Sequence, residues 1–494
     1  MVNDFIFKTP DEEGLPTKNV IAFINKLKER KINLHSFMIA RNGSILTEAY
    51  YKPFDKDFRH RMYSSSKTFV AMAIGMLIDE GRIKLSDKIV DFFPELIERE
   101  PGRDMKECTI EDMLKMAVPM RHETYMHSND WAWTFFNTLP DLKPAGTVFC
   151  YNTSASFMLN VLLEKLTGKP FLEYMRPLFD KIGVSEDIRC VKSPDGYSWG
   201  GSGVVCTLRD FAKFAEFILY KGNYKGEQLI SREYMEKATS VQIANYTANS
   251  NEGYNTNGYG YQIWISPKGF TLSGLGSQMA YCFPDKKLMF VCQGDTMCMD
   301  DRSASILYFL AEEYLYKGLN DVEACKDELA NKELSEIIER LDVSDIKRGK
   351  SNSDFEREVD GVEYTLRENN LKWKNVKLDF SEMGGVFTYE NARGKKRLTF
   401  GRNEYIDQAF PETNDYDWQV HTPSGRGLRC LVAGSWLEEK KFLLRVHFID
   451  TNIGNMYVTL SFKGDEVGIF VRRFTEFYLM DYGEWDEYTA GEKV

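Results

Sequence analysis

The chain has 494 residues and a formal net charge of −11, and its composition is 43% hydrophobic and 14% aromatic. This length exceeds one ordinary hydrophobic core, so at least two domains are expected, and the hydrophobic content excludes a largely disordered protein. The acidic balance without a basic tract argues against a nucleic-acid partner, and no apolar stretch is long enough to span a bilayer.

The N-terminal two thirds of the chain shows strand patterns at both ends and helical patterns between them. Residues 36–51 alternate in polarity around Asn42-Gly43, a pattern typical of a β-hairpin. A mostly helical middle follows, with amphipathic helices predicted over 159–168 and 208–220. Further strands are predicted over 259–265, 278–283 and 287–293, before a helix over 304–316. This order predicts one sheet built from both ends of an α+β domain.

The C-terminal part has a different composition. A charged, polar stretch predicts a linker over 331–360, between a first domain over 1–330 and a second over 361–494. The second domain shows short strand patterns separated by glycine turns, which predicts an all-β barrel or sandwich. The strands are predicted over 376–380, 386–390, 397–400, 428–433, 442–448, 456–462 and 467–472.

Ser64 and Lys67 form a Ser-x-x-Lys motif at the start of an apolar helical run. Because three residues make about one helical turn, the two side chains share a face, with Ser64 near the helix N-terminus. A serine hydroxyl becomes a nucleophile when a neighbouring base takes its proton, and Lys67 can serve as that base or tune another. A second such motif, from Ser344 to Lys347, lies in a charged stretch and is interpreted as solvated.

Tyr151 precedes a predicted helix and is the next candidate. Alone, a tyrosine at such a turn would be interpreted as a packing residue. Beside Lys67 it can act as a tyrosinate base if its pKa falls from about 10 by about three units, which costs roughly 4 kcal/mol and which an adjacent ammonium could largely supply. Ser64, Lys67 and Tyr151 therefore form a self-consistent set that needs no histidine.

A third candidate segment, residues 272–278, contains two glycines and leads into a predicted strand. Glycines there allow backbone N–H groups to approach a substrate closely. A tight turn between edge strands is an alternative of nearly equal weight. His122 and Glu123, between the first two motifs, are interpreted as part of a solvated loop near the entrance to the site rather than as a zinc site.

In this order the motifs resemble the serine β-lactamase-related family, which includes class C β-lactamases, DD-peptidases and related esterases. The resemblance covers roughly residues 10–320. Besides the Ser64 and Tyr151 motifs, it rests on Arg41-Asn-Gly43, Asp79-Glu80-Gly81, Pro144–Tyr151, Leu166–Lys169, Thr207–Asp210 and Asn257–Trp264.

The resemblance implies a β-lactamase/transpeptidase-like domain, with an antiparallel sheet and a helical subdomain, ahead of the all-β domain. It implies that Ser64 is the acylated nucleophile and that Lys67 and Tyr151 share the general-base role. The N–H groups of Ser64 and of a residue near Leu275 would form the oxyanion hole. It also implies that four further residues contact the substrate: Thr153, Ser273, Gly274 and Gln278. It implies neither a cofactor nor a metal.

Two departures from the family pattern bear on the substrate. The family's Tyr-x-Asn motif is Tyr151-Asn152-Thr153 here, so a hydroxyl replaces an amide. The third motif has Leu272 where the family has lysine or histidine, and leucine cannot attract the carboxylate that penicillins and D-Ala-D-Ala peptides carry.

We therefore expect a serine hydrolase with a small-molecule ester, amide or peptide substrate, and neither a nucleic-acid nor a membrane partner. The N-terminus lacks the features of a secretory signal, and the nine cysteines contain no C-x-x-C pair, which favours reduced thiols and a cytoplasmic location. Two alternatives are a non-catalytic ligand-binding or sensing protein on the same fold and a weak β-lactamase or D-amino-peptide hydrolase. In a further alternative, aromatic residues of the second domain (Tyr405, Trp418, Trp436) cover the cleft, although a buried core role is favoured.

Overall fold

The computed structural model describes residues 6–120, 122–125, 128–137, 143–245, 254–297, 303–320, 326–345, 348–414, 426–475 and 486–494. The chain divides into two units, Met1–Leu341 and Asp342–Val494. No helix in the described part of the chain is both long enough and apolar enough to cross a membrane.

The first unit contains helices and short strands in alternation. Its strands are β1 (Ile6–Phe7), β2 (Leu34–Arg41), β3 (Ser44–Tyr50), β4 (His60–Arg61), β5 (Arg189–Cys190), β6 (Val204–Cys206), β7 (Asn223–Tyr224), β8 (Glu227–Gln228), β9 (Trp264–Ser266), β10 (Gly269–Gly274), β11 (Gln278–Phe283) and β12 (Leu288–Gly294). Its helices are α1 (Thr17–Glu29), α2 (Ser66–Asp79), α3 (Arg103–Glu107), α4 (Ile110–Leu114), α5 (Trp131–Asn137), α6 (Thr153–Thr167), α7 (Phe171–Tyr174), α8 (Arg176–Ile182), α9 (Leu208–Leu219), α10 (Arg232–Ala238), α11 (Ser303–Leu310) and α12 (Glu328–Glu339). A π-helical segment, Ala311–Tyr316, continues α11.

The main sheet of this unit joins the two ends of its sequence. Its strand order is β1-β3-β2-β12-β11-β10-β9, and every pairing is antiparallel except the parallel one between β1 and β3. Early strand β2 therefore lies beside late strand β12, as the sequence pattern predicted. The β2–β3 turn is built by Asn42 and Gly43, which both have positive φ (51° and 79°), as a two-residue hairpin loop requires.

Helices cover the sheet through aromatic contacts. Phe23 of α1 meets the ring of Phe290 on β12 edge-on, at 5.0 Å between centroids. Helix α9 packs against β11, β12 and β2 and meets α2 where Phe214 stacks on Phe69 at 3.7 Å. Almost all of α2 is buried, so the helix that begins just after Ser64 is held rigidly in the core.

The second unit is a closed barrel. Its strands are β13 (Glu363–Leu366), β14 (Asn375–Phe380), β15 (Gly384–Asn391), β16 (Gly394–Arg402), β17 (Ile406–Asn414), β18 (Arg426–Glu438), β19 (Lys441–Phe448), β20 (Gly454–Lys463), β21 (Glu466–Thr475) and β22 (Asp486–Lys493), preceded by the short helix α13 (Glu356–Val359). Nine strands, β13–β16 and β18–β22, form the ring, which closes where β16 pairs in parallel with β18. Strand β17 pairs antiparallel with the first half of β18. The predicted fold class is thus confirmed, with a barrel as the second architecture.

Aromatic residues fill the barrel core. Trp436 is 1% exposed, and its indole N–H donates to Glu356 at 2.8 Å. Trp436 is thus a core residue, which the sequence analysis favoured over a role in covering the cleft. Tyr405 is half-buried, with the guanidinium of Arg445 5.2 Å from its ring centroid. Trp418 lies outside the described residues.

Some strand predictions were wrong or incomplete. The strand predicted over 259–265 is reduced to β9, because Gly258 (φ 106°) and Gln262 (φ 56°) turn the chain. Alternating aromatic residues produced a strand-like pattern in what is a folded loop. Strands β13, β17 and β22 were not predicted, since they are short, charged or contain a proline.

The charged segment 331–360 contains regular structure. Helix α12 runs through its first part, and Ala330 and Leu334 of that helix are buried. The Asn331 amide donates to Asp11 at 3.0 Å, which ties α12 to the start of the first unit. The charge of this segment marks a solvated helix face as well as a connection between units.

Gly75 offers a test of how α2 is packed. A Cβ atom there would lie 2.6 Å from Cε1 of Tyr234, whose hydroxyl donates to the Ala71 carbonyl at 2.6 Å. We expect Gly75→Ala to lower the free energy of unfolding by about 1–3 kcal/mol, although alanine favours helices by about 1 kcal/mol. Denaturant unfolding measures the change.

The control is a double-mutant cycle with Tyr234→Ala, which makes room for the new methyl group. In that background Gly75→Ala should be neutral or stabilising. An equal loss of stability in both backgrounds would contradict the packing argument.

Candidate active site

Ser64 lies in a single 3₁₀ turn, Tyr63–Ser65, that leads directly into α2. Two other parts of the first unit hold this turn. The Met62 N–H donates to the Val204 carbonyl of β6 at 2.7 Å, and the Ser65 hydroxyl donates to the Gln278 carbonyl of β11 at 2.7 Å. Tyr63 has φ of +46°, a strained value for a residue with a side chain, of the kind that clusters at active sites.

Lys67 is buried beside Ser64, with 1% of its surface exposed. Its Nζ lies 3.1 Å from Ser64 Oγ and 2.7 Å from the Gly201 carbonyl oxygen. The same Nζ lies 5.0 Å from the centroid of the Tyr151 ring. The lysine therefore has a fixed position between the serine, a backbone acceptor and the tyrosine.

Tyr151 completes the group from the segment before α6. Its hydroxyl is hydrogen-bonded to Ser64, and its ring stacks on Trp264 at 5.4 Å and 15°. Burial raises the pKa of Tyr151, and the hydrogen bond with Ser64 opposes that effect only in part. A lowered pKa, which is the condition for a tyrosinate base, is therefore not met in the resting protein, because desolvation outweighs the stabilisation of a phenolate.

Glu123 is a residue of this region whose contact the sequence analysis missed. Its carboxylate accepts hydrogen bonds from the Thr153 N–H at 2.6 Å and the Ser154 N–H at 2.9 Å, at the N-terminus of α6. The side chain of Asn152 caps the same helix by accepting from the Ala155 N–H at 2.9 Å. A carboxylate at a helix N-terminus is favourable, and here its charge also contributes to the raised pKa of Tyr151.

The third motif approaches Ser64 through backbone. A Cβ atom on Gly274, the last residue of β10, would lie 2.2 Å from the Met62 carbonyl, so only glycine fits there. Leu275 follows in the turn and is 41% exposed. Leu272 is fully buried opposite Ala280 of β11 and presents no charge.

The other residues predicted to contact substrate, Ser273, Thr153 and Gln278, each have a different environment. The Ser273 hydroxyl lies 3.0 Å from the hydroxyl of Tyr254, another residue that the sequence analysis missed. Thr153 begins α6 and is nearly buried, close to Gly201. Gln278 is fully buried and donates from Nε2 to the Leu275 and Gly294 carbonyls, so it supports the turn after β10.

Arg61 is a further residue that holds the group together. Its guanidinium is sandwiched between the rings of Tyr63 (4.6 Å) and Trp199 (4.5 Å). It also donates to the carbonyl and hydroxyl oxygens of Ser202, next to the Gly201 carbonyl that accepts from Lys67. No pattern in the sequence marked Arg61, because its burial and its contacts with Trp199 and Ser202 arise only in the folded chain.

Comparison with known proteins identifies the family of this chain. The family model described as Beta-lactamase matches residues 22–296, which is more than half of the chain. The chain belongs to the β-lactamase family. It is therefore a serine hydrolase of the β-lactamase family. The matched range includes Ser64, Lys67 and Tyr151.

Several members of the β-lactamase family are similar to this chain. The 6-aminohexanoate-dimer hydrolase of Paenarthrobacter ureafaciens is 24% identical over 279 residues, which are 47% of this chain and 69% of that protein. A Bacillus anthracis structure assigned as a 6-aminohexanoate-dimer hydrolase has a TM-score of 0.50 at 20% identity, covering 64% of this chain and 89% of that one. A Bacteroides dorei structure assigned as a β-lactamase has the same TM-score at 17% identity, covering 60% and 98%. The two structures share the fold.

The contacts of Arg61 predict a positioning role. Arg61→Met should slow the labelling of Ser64 by a fluorophosphonate about 10²-fold, since the loop that holds Lys67 loses its anchor. The rate of adduct formation, followed by mass spectrometry, measures the effect. Arg59→Met is the matched control, because Arg59 pairs with Asp187 at the surface.

Labelling of folded Arg61→Met at the wild-type rate would contradict this role. A thermal melt by circular dichroism identifies a variant that fails to fold. Arg61→Lys should restore little, because lysine lacks the planar group that stacks between two rings.

Proposed function

We propose that this β-lactamase-family protein is an esterase or amidase that forms an acyl-enzyme on Ser64. The observation that carries the proposal is the convergence of Lys67 Nζ and the Tyr151 hydroxyl on the Ser64 hydroxyl in a buried setting. A site that only bound a ligand would have no need of a serine hydrogen-bonded to two groups that can carry protons.

The contacts support a division of labour between Lys67 and Tyr151. Lys67, reacting as the free amine, takes the proton of Ser64 as the hydroxyl attacks the substrate carbonyl. Tyr151 is protonated in the resting protein because burial raises its pKa, so it gives its proton to the leaving oxygen or nitrogen. The Lys67 ammonium then returns a proton to Tyr151, which leaves the acyl-enzyme, the released product and both groups in their starting states.

In the hydrolysis of the acyl-enzyme, water replaces the Ser64 hydroxyl as the nucleophile and Ser64 Oγ becomes the leaving group. Lys67 takes a proton from water as the water attacks the acyl carbonyl, and the proton returns to Ser64 Oγ as the acyl group leaves. The N–H groups of Ser64 and Leu275 are proposed to stabilise the oxyanion in both halves, since Gly274 brings that turn against Met62.

Leu272 and Glu123 support a substrate without a carboxylate near the reacting bond. Leu272 is apolar and fully buried where the family resemblance implies a cation, and Glu123 places a negative charge at the N-terminus of α6. A substrate carboxylate would find no cationic partner in the third motif and would be repelled by Glu123. Neutral esters and amides therefore fit better than penicillins or D-Ala-D-Ala peptides.

An intracellular location is part of this proposal. Seven cysteines in the described part of the chain form no disulfide, at positions 108, 150, 190, 206, 282, 292 and 430. Reduced cysteines are typical of proteins in a reducing compartment.

The Ser64 hydroxyl should be essential for turnover. Ser64→Ala is expected to lower kcat for p-nitrophenyl butyrate by at least about 10³-fold and to abolish the fluorophosphonate adduct, with an unchanged melting temperature. Ser344→Ala is the matched control, since it makes the same change in the second Ser-x-x-Lys motif and should leave kcat unchanged. Lys347 of that motif lies outside the described residues. A wild-type protein that neither labels nor hydrolyses esters would favour the non-catalytic binding protein instead.

The proposed acid role of Tyr151 predicts a dependence on the leaving group. Tyr151→Phe should slow hydrolysis of ethyl butyrate by about 10²-fold or more, because ethoxide needs a proton to leave. The p-nitrophenyl ester should be affected much less, since p-nitrophenolate leaves without protonation. Comparison of kcat/KM for the two esters measures this. Equal losses for both would indicate that Tyr151 acts as the base.

A further inference from the structure

We propose a second small-molecule site in the first unit, which binds a ligand that carries an ammonium group on an aromatic or aliphatic body. The site is a cavity of about 540 Å³ between the β2–β3 turn, α8, α9 and the β7–β8 hairpin. This volume lies within the usual range for ligand pockets. Six residues carry the argument: Ile182, Glu216, Phe217, Tyr220, Tyr224 and Lys225.

The cavity is distinct from the Ser64 site. None of the residues that line it belongs to the first, second or third motif. The inference therefore does not depend on the acyl chemistry proposed for Ser64.

Glu216 is the carboxylate in the lining of the cavity. Among the described residues, no donor lies within hydrogen-bond distance of its carboxylate and no cation lies within ion-pair distance. Burial raises the pKa of Glu216, and Lys225 opposes the shift from beyond that distance. A half-buried carboxylate without a partner is costly, and a ligand that donates to it would remove that cost.

Three other polar residues around the cavity already have partners. Asn42 donates to Glu13 at 2.7 Å, and Asn223 accepts from the Gly226 N–H at 3.1 Å. The Lys213 ammonium donates to the Gly183 carbonyl at the end of α8. Glu216 is the one carboxylate among the lining residues, so it is the group that would recognise a cationic ligand.

The walls indicate the class of ligand. Ile182, Phe217 and the rings of Tyr220 and Tyr224 supply apolar and aromatic surface. Aromatic faces and a carboxylate both attract an ammonium group, and the Lys225 ammonium, 5.0 Å from the Tyr224 ring centroid, shows that one of these faces accommodates a cation.

Gly43 keeps the carboxylate accessible from the hairpin side. Its φ of +79° suits the turn, and a Cβ atom there would lie 3.9 Å from Glu216 Oε1. A longer side chain at position 43 would occupy the space in front of the carboxylate. The turn chemistry and the open approach to Glu216 therefore depend on the same glycine.

The test compares three probes of one shape on the full-length protein: benzylamine, benzyl alcohol and benzoate. Isothermal titration calorimetry at pH 7 should show benzylamine binding about tenfold more tightly than benzyl alcohol, and benzoate binding more weakly still. Glu216→Gln should reduce benzylamine to the affinity of the alcohol. Lys225→Met, which removes the competing cation, should strengthen benzylamine binding severalfold.

Glu236→Gln is the matched control, because it makes the same change at an exposed residue that pairs with Arg232 outside the cavity. Its benzylamine affinity should equal that of the wild type. The proposal is overturned if the three probes bind equally, if none binds, if benzoate binds best, or if folded Glu216→Gln retains the wild-type preference. The opposite signs expected for Glu216→Gln and Lys225→Met separate recognition of charge from a general loss of packing.

Discussion

The hydrogen bond from the Met62 N–H to the Val204 carbonyl fixes the turn on which the Ser64 site depends. It joins the entrance of α2 to β6, and the Ser66 hydroxyl accepts from the Val204 N–H at 3.0 Å to make a second link. The turn is thereby held by a segment some 140 residues later in the chain, as the separation of these partners shows. Because the first link joins two backbone groups, it does not depend on which side chains surround Ser64.

Close backbone approach explains why glycines surround this turn. A Cβ atom on Gly200 would lie 2.5 Å from Val70, and one on Gly201 would lie 2.8 Å from Thr153. The loop can therefore run between α2 and α6 and present the Gly201 carbonyl to Lys67. Arg61 then anchors the same loop from the other side, through Ser202. The position of Lys67 therefore depends on the packing of the 200–202 loop, which is distant from Lys67 in the sequence.

The sequence predicted the local features of this arrangement better than the distant ones. The hairpin at Asn42-Gly43 and the strand Gln278–Phe283 follow from turn chemistry and alternation, which are local properties. The contact of Ser64 with Lys67 follows from helical spacing, since both lie within one turn.

Distant contacts left weaker signals in the sequence. Helix α6 begins at Thr153, six residues before the predicted start, because Asn152 and Glu123 cap it. The capping carboxylate of Glu123 comes from a separate loop, so no pattern near the start of α6 in the sequence predicts it. The direction of the Tyr151 pKa shift likewise depends on burial by Trp264 and Tyr259, whose placement results from a folded loop that resembled a strand.

The electrostatics of the site follow from where its charges have partners. Glu123 and Asn152 satisfy N–H groups at the start of α6, which lessens the attraction of that helix end for an anion. Leu272 adds no charge, and the Lys67 amine is already committed to Ser64 and Gly201. Negative charge that develops during acyl transfer must then be met by backbone N–H groups, which act only at short range and only at the reacting oxygen. Such a site stabilises the oxyanion of a neutral substrate without offering a binding place for a permanent anion, and this difference separates the proposed esterase or amidase from a β-lactamase on the same fold.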